Sequence, residues 1–339
     1  MTEVGEVQTF RGAVAADDLG PTLIHEHVFV GDPELDLNFP HPEWDEAAAV
    51  RTAIAGLDRL GALGIRTVVD LTVLGLGRDV ARVAAVAART EINLLASTGY
   101  YCVDALPPYF HVHGPGLLID HGPDPLTQMF LDDIETGIAG TGVRAAMLKV
   151  VTDRPGLTED VRRVMSAAAT AHQQTGVPIT THTHAPSRNG REQLAFLTAR
   201  GVDPERLVIG HCGDSQDIDY LRELMDAGAT IGMDRFGMEH VLPDEARIQT
   251  VLELIDRGYV ESMVLSHDAA FFSRVTPPSW RAAHAPNWHL EDISTRIVPK
   301  LLGGGATDDD IHQLLVANPA RLLRPRLPAA TVPTAGRGA

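Results

Sequence analysis

His25 and His27 stand two residues apart at the end of an apolar run, Leu23-Ile24-His25-Glu26-His27-Val28, that begins just after Pro21. In a strand, side chains at i and i+2 point the same way, so the two imidazoles project together and Glu26 points to the opposite face. Two neutral imidazoles on one side are half of a metal site. Residues of the same chemistry recur singly further along, each in or at the end of another apolar run: Lys149, His182, His211 and Asp268. A protonated lysine cannot bind a metal. A neutral one can react with CO2 to give a carbamate whose two oxygens bridge two divalent ions, and burial beside cations favours the neutral amine.

For six residues so far apart to meet, the elements carrying them must converge. Eight short apolar segments follow one another: Thr22 to His27, Thr67 to Thr72, Ile92 to Thr98, Ala146 to Val151, Pro178 to Thr183, Leu207 to Cys212, Thr230 to Asp234 and Met263 to Asp268. Several are almost uniformly apolar, as strands of a parallel sheet covered on both faces must be. Amphipathic helical stretches separate them, among them Glu46 to Leu63, Arg78 to Arg89, Thr158 to Thr175, Arg191 to Ala199, Asp217 to Ala227 and Asp244 to Arg257, several followed by a glycine suited to a helix C-terminus. The alternation predicts an α/β fold, a (β/α)8 TIM barrel. A doubly wound sheet would carry a glycine-rich phosphate loop after the first strand, and Ile24 to Val30 has none. In a closed barrel the C-terminal strand ends share one mouth, which places the six residues there.

The composition allows this. At 339 residues the chain can hold one barrel of about 250 residues with insertions. It is 44% hydrophobic and 22% charged, an ordinary globular composition. The net charge of −17 argues against nucleic acid or an anionic membrane as partner. No apolar run approaches the roughly 18 residues of a membrane span, and Met1 to Gln8 lacks a signal-peptide layout, so a cytoplasmic location is expected. Two cysteines, Cys102 and Cys212, are too few for a disulfide framework. The expected organisation is a single hydrolase domain over 1–323 and a disordered tail over 324–339. Two long connections, Tyr100 to Gln128 and Ala269 to Asn287, leave from the expected mouth and read as substrate-facing loops.

Two choices rest on the strand pattern. Thr181-His182-Thr183-His184 puts two histidines on one face, of which His182 is taken as the site residue; Asp268 follows His267, and alternation sends only one of them to the mouth.

The chain resembles the phosphotriesterase family of the amidohydrolase superfamily, and most closely its phosphotriesterase-like lactonases, from about Val7 to Leu323. The resemblance rests on Thr22-Leu23-Ile24-His25-Glu26-His27-Val28-Phe29, Val68-Val69-Asp70-Leu71-Thr72, Ser97-Thr98-Gly99, Leu148-Lys149, Thr181-His182-Thr183-His184, Ile209-Gly210-His211-Cys212-Gly213-Asp214-Ser215, Met233-Asp234-Arg235-Phe236-Gly237 and Leu265-Ser266-His267-Asp268. It implies a binuclear centre of two divalent ions at the C-terminal mouth, zinc first, with cobalt, iron or manganese also suited to these donors. The implied ligands are His25, His27, carbamylated Lys149, His182, His211 and Asp268. Tyr101 matches a tyrosine that contacts the substrate ring in lactonases, and Arg235 matches a pocket-lining residue. The stretch from Ala269 through Trp280 departs from the lactonase pattern. A homodimer is also implied.

The expected reaction is attack of a metal-bridging hydroxide on a lactone carbonyl, with Asp268 accepting a proton and passing it to the leaving alkoxide. Expected substrates are N-acyl-homoserine lactones or other γ- or δ-lactones, which would make the protein quorum-quenching, with promiscuous phosphotriesterase activity. The alternative is a primary organophosphate phosphotriesterase, or aryldialkylphosphatase. A mononuclear deaminase would not need Lys149, and a non-catalytic barrel would have lost ligands. A serine hydrolase lacks its Gly-x-Ser-x-Gly elbow, and Cys212 reads as strand packing.

Overall fold

The computed structural model describes residues 5–120 and 122–326. A hairpin of β1 (Glu6–Thr9) and β2 (Gly12–Ala15) precedes the barrel. The barrel strands are β3 (Thr22–Val30), β4 (Thr67–Asp70), β5 (Asn93–Gly99), β6 (Ala145–Val151), β7 (Ile179–His182), β8 (Leu207–Ile209), β9 (Thr230–Met233) and β10 (Met263–Leu265). Each pairs in parallel with the next in sequence, and helices cross between them. The ring closes where β10 runs out: His25 N donates to Ser266 Oγ (2.9 Å), Asp268 N to His25 O (3.0 Å) and His27 N to Ala269 O (2.8 Å). The chain therefore forms the (β/α)8 barrel expected from the alternation.

Buried apolar residues account for the strands, and short polar side chains account for the helix starts. Asp45, Asp79, Thr158 and Asp217 each accept a backbone N–H of the first turn of helices Glu46–Ala62, Val80–Ala87, Glu159–Thr175 and Ile218–Asp226. The apolar faces of these helices pack on the outside of the sheet. A second, smaller cluster, with Ile24, Val69, Leu71, Leu95, Met147, Val208 and Val264, fills the inside of the base together with Val7, Leu19 and Leu322.

Three differences from the sequence expectations bear on the site. β3 runs on to Val30, and its register against β4 shifts between Leu23 and Glu26, so Ile24 packs in the interior cluster while its neighbour His25 also reaches the interior. Such an irregularity re-aims side chains next to active sites. β8 and β10 stop three residues earlier than expected, because His211 (φ 60°) and Asp268 (φ 54°) adopt left-handed backbone that no strand tolerates. The connection expected as a loop from Ala269 to Asn287 instead contains a ninth parallel strand, β11 (Ala270–Ser273), and a helix, Pro278–His284. The surplus length of β3 leaves an edge past the closure point, and β11 pairs with it, Ala270 opposite His27 and Ser273 opposite Val30. Likewise the Tyr100 to Gln128 connection carries the helix Pro108–Val112 and the start of the helix Pro125–Glu135. The tail expected from Arg324 lies, over 327–339, outside the described residues; Arg324 itself pairs with Asp17 and Arg326 with Glu205 (3.0 Å). Among the described residues, no helix is long and apolar enough to cross a membrane.

Candidate active site

At the C-terminal mouth the structure brings all eight sequence-selected residues to one cavity of roughly 390 Å³: His25 and His27 from β3, Tyr101 after β5, Lys149 from β6, His182 from β7, His211 after β8, Arg235 after β9 and Asp268 after β10. His184 and His267 do not line it. β7 ends at His182, so period two no longer applies to His184, whose Nδ1 lies 2.6 Å from Ser187 Oγ. His267 turns outward to Glu26 (2.6 Å).

The donor atoms crowd together. Lys149 Nζ is 2.9 Å from His25 Nε2; His27 Nε2 is 3.1 Å from Asp268 Oδ1; His211 Nε2 is 2.9 Å from His182 Nδ1. His25, His211 and Asp268 each offer a ligand atom within 4.8 Å of the others'. The outer ring nitrogens show which way these imidazoles are protonated. His25 Nδ1 and His211 Nδ1 lie 2.8 and 2.9 Å from the two oxygens of Asp234. An N–H on each Nδ1 leaves both Nε2 lone pairs aimed into the cavity. His182 Nε2 lies 3.5 Å from Asp153, which turns its Nδ1 lone pair toward that of His211. Lone pairs converging on one point are the donor set a divalent ion satisfies, and carboxylates holding the outer nitrogens are the usual support for histidine ligands. The residues fit a metal centre.

Electrostatics agree. Burial, reinforced by the Lys149 charge, lowers the His25 pKa; burial lowers His182 to about 4 and His211 well below the ordinary value, keeping all three neutral and able to ligate. Burial brings Lys149 down to about 8, within reach of the neutral amine that a carbamate requires. For Asp268 burial works the other way, and the hydrogen bond with His27 and the charge of Arg235 outweigh it, holding the carboxyl well below its usual range. Arg235 spans Asp268 Oδ2 (Nε, 3.2 Å) and Asp214 Oδ2 (Nη1, 3.0 Å), and Asp214 is gripped in turn by the fully buried Arg247 (2.6 Å). Burial pushes the Tyr101 phenol up to about 12, so it stays a donor; its ring meets that of His182 edge to face at 5.5 Å.

Sequence reasoning missed Asp234, Asp153 and Asp214. The signal for Asp234 was present in Gly210 and Gly232: a Cβ at Gly232 would lie 2.4 Å from Asp234 Oδ2, and one at Gly210 would lie 2.1 Å from Thr181 O and 3.2 Å from the same carboxylate oxygen. Thr72, whose Oγ1 lies 2.8 Å from His27 Nδ1, was within the motif but unassigned.

Residues 5–323 match the phosphotriesterase family. The aryldialkylphosphatase of Saccharolobus solfataricus is 36% identical over 92% of this chain and 97% of its own. A solved structure of the phosphotriesterase from Mycobacterium tuberculosis superposes with a TM-score of 0.92 at 47% identity, covering 94% of this chain and 99% of that one. A second, described as molecular engineering of organophosphate hydrolysis activity from a weak promiscuous lactonase template, gives a TM-score of 0.83 at 33% identity with the same coverage. With its barrel, its converging donors and these relatives, the chain belongs to the phosphotriesterase family, a family of binuclear metal hydrolases.

Proposed function

We propose that this hydrolase opens lactones, N-acyl-homoserine lactones or other γ- or δ-lactones, and hydrolyses phosphotriesters as a weaker side reaction. The observation that carries the reading is the mixed lining of the cavity. The His, Lys and Asp cluster, Tyr101 and Arg235 share the cavity lining with the apolar Met238, Val241, Val275 and Trp288. An ester ring suits the polar cluster, and an acyl chain the apolar residues.

The proposed ligands are His25, His27 and Asp268 for one ion and His182 and His211 for the other, with carbamylated Lys149 between them. Zinc is the first choice, and a homodimer the proposed assembly. Two such ions, when bound, supply hydroxide near neutral pH and polarise the carbonyl. The chain's own residues do the rest. The Tyr101 phenol donates a hydrogen bond to the ring ester and orients it. Asp268, whose side chain retains 15% exposure, takes the proton of the attacking hydroxide and delivers it to the leaving alkoxide, a contribution of about 10²- to 10⁴-fold. Arg235 stays protonated, since the charges of Asp268 and Asp214 outweigh its burial, so it holds Asp268 in place and balances negative charge without moving a proton. Asp234 keeps His25 and His211 in the ligating tautomer.

A primary phosphotriesterase is the second reading, favoured by the aryldialkylphosphatase relative. The test is kcat/KM for an N-acyl-homoserine lactone and for a dialkyl aryl phosphate on one preparation. A lactone preference of tenfold or more supports the proposal; the reverse order selects the second reading.

A further inference from the structure

Glu26 stands between the two histidines of the first strand, is fully buried, and faces away from the cavity. Nothing in the reaction above uses it. Its carboxylate accepts three N–H groups, all from the opposite end of the barrel sequence: His267 N (2.9 Å) and His267 Nδ1 (2.6 Å) on Oε1, and Ala269 N (3.0 Å) on Oε2. Ile293 N donates to His267 Nε2 (2.9 Å), so the ring proton must sit on Nδ1, where it meets Glu26. Trp288 Nε1 closes the set by donating to His267 O (2.8 Å).

These contacts fall on the residues either side of Asp268. Asp268 occupies left-handed backbone, which is strained for a non-glycine residue and persists only where the surroundings impose it. Its own N–H goes to His25 O (3.0 Å), while Ala269 O accepts from His27 N (2.8 Å). The Asp268 N–H and the Ala269 carbonyl are therefore both held by the strand carrying His25 and His27, and Glu26, from the same strand, accepts N–H groups on both sides of Asp268.

Resting on the role given to Asp268 above, we infer that Glu26 is a positioning residue: it staples His267 and Ala269 so that Asp268 is held, in its left-handed conformation, against His25 and His27. The His-Glu-His triplet thus faces both ways. Its histidines point into the cavity, and its glutamate fixes from behind the last member of the cluster.

The test is Glu26→Gln, which keeps shape but places an amide NH2 against a backbone donor. Expected are a kcat lowered about 30-fold or more with KM within about threefold, and faster hydrogen exchange over 266–270 than in wild type, with exchange over β4 and β5 unchanged. A folded variant whose kcat stays within twofold, or whose 266–270 segment exchanges as in wild type, overturns the inference. Should Glu26→Gln not fold, the pair His267→Asn and His267→Leu decides. The asparagine keeps a side-chain N–H for Glu26 and is expected to retain most of the kcat; the leucine lacks it and is expected to lose about tenfold. Equal activities overturn the inference. Exchange over 266–270 is read without substrate, so a wild-type protein inactive on both esters would sink the hydrolase reading while leaving the Glu26 staple separately decided.

Discussion

The two ends of the barrel interior are built from the same strands and have opposite chemistry. On β6, Met147 packs in the apolar cluster of the base, and Lys149, the next residue on that face, reaches the mouth. On β3, Ile24 belongs to the base, whereas His25 and His27 belong to the mouth. At the base polar groups pair with backbone: Arg206, almost wholly buried, donates from its two terminal nitrogens to Gly176 O (3.0 Å), Arg321 O (3.2 Å) and Leu322 O, and only its Nε is without a partner among the described residues. The mouth aims lone pairs at one another and holds two non-glycine residues, His211 and Asp268, in left-handed backbone. Binding capacity is gathered where local rules are broken, and stability where they are obeyed.

The contrast is broken most severely at Asp268. Asp268→Asn is expected to lower kcat/KM by about 10³-fold or more while the thermal midpoint moves by only a few degrees, since the side chain is part-exposed and the backbone staple remains. Steady-state kinetics and thermal unfolding on one sample check this, and a variant that is merely unstable would contradict it. At the base the reverse is expected. Arg206→Met strands the carbonyls of Gly176, Arg321 and Leu322 and should cost about 2–4 kcal/mol in denaturant unfolding, with kcat within twofold of wild type. Tyr101→Phe sharpens the picture of the mouth. Losing the phenol should raise KM for a lactone about three- to tenfold and leave a phosphotriester, which has no ester ring to orient, within twofold.

Smaller effects separate buried groups that only pack from groups that react. Burial raises the Cys212 thiol well above its ordinary value, so Cys212→Ser should keep lactone hydrolysis within about twofold; a loss of several orders of magnitude would make it a nucleophile. His172, whose Nδ1 lies 2.8 Å from Val177 O, has its pKa lowered by burial, with the Arg206 charge acting in the same direction. A base whose folded pKa lies below its unfolded value of about 6.5 binds its proton more readily when unfolded. Its contribution is therefore intact above that pH and lost as pH falls from there toward the folded pKa. His172→Gln should flatten the stability profile in that window, seen as the difference between the two proteins' urea midpoints at pH 7 and pH 5.

Much of this was legible in the sequence, and the reasons for the rest are physical. Apolar strands separated by amphipathic helices give the barrel, because parallel strands must be buried on both faces, and the convergence of His25, His27, Lys149, His182, His211 and Asp268 follows from closure. The strand ends were less legible. Ile209-Gly210-His211-Cys212 reads as one apolar run, and only the left-handed turn at His211 shows that the strand is over. β11 was not legible, since its partner is the surplus edge of β3, 243 residues away in register. The role of Glu26 was not legible, and that of Asp234 left only the indirect trace of Gly210 and Gly232 beside it, because carboxylates that hold other residues carry no spacing of their own. Each is recognised only once Asp234 is seen to span His25 and His211, and Glu26 to span His267 and Ala269.

The central claim is that the mouth of this barrel is a metal-dependent hydrolytic centre. The measurement that tests it most directly is metal content per chain on purified protein, with lactone and phosphotriester hydrolysis assayed on the same sample before and after chelation, and again after the metal is returned. Close to two ions per chain, loss of hydrolysis in step with their removal, and recovery on reloading are expected. One ion or none in a fully active protein, or hydrolysis indifferent to the chelator, would contradict it.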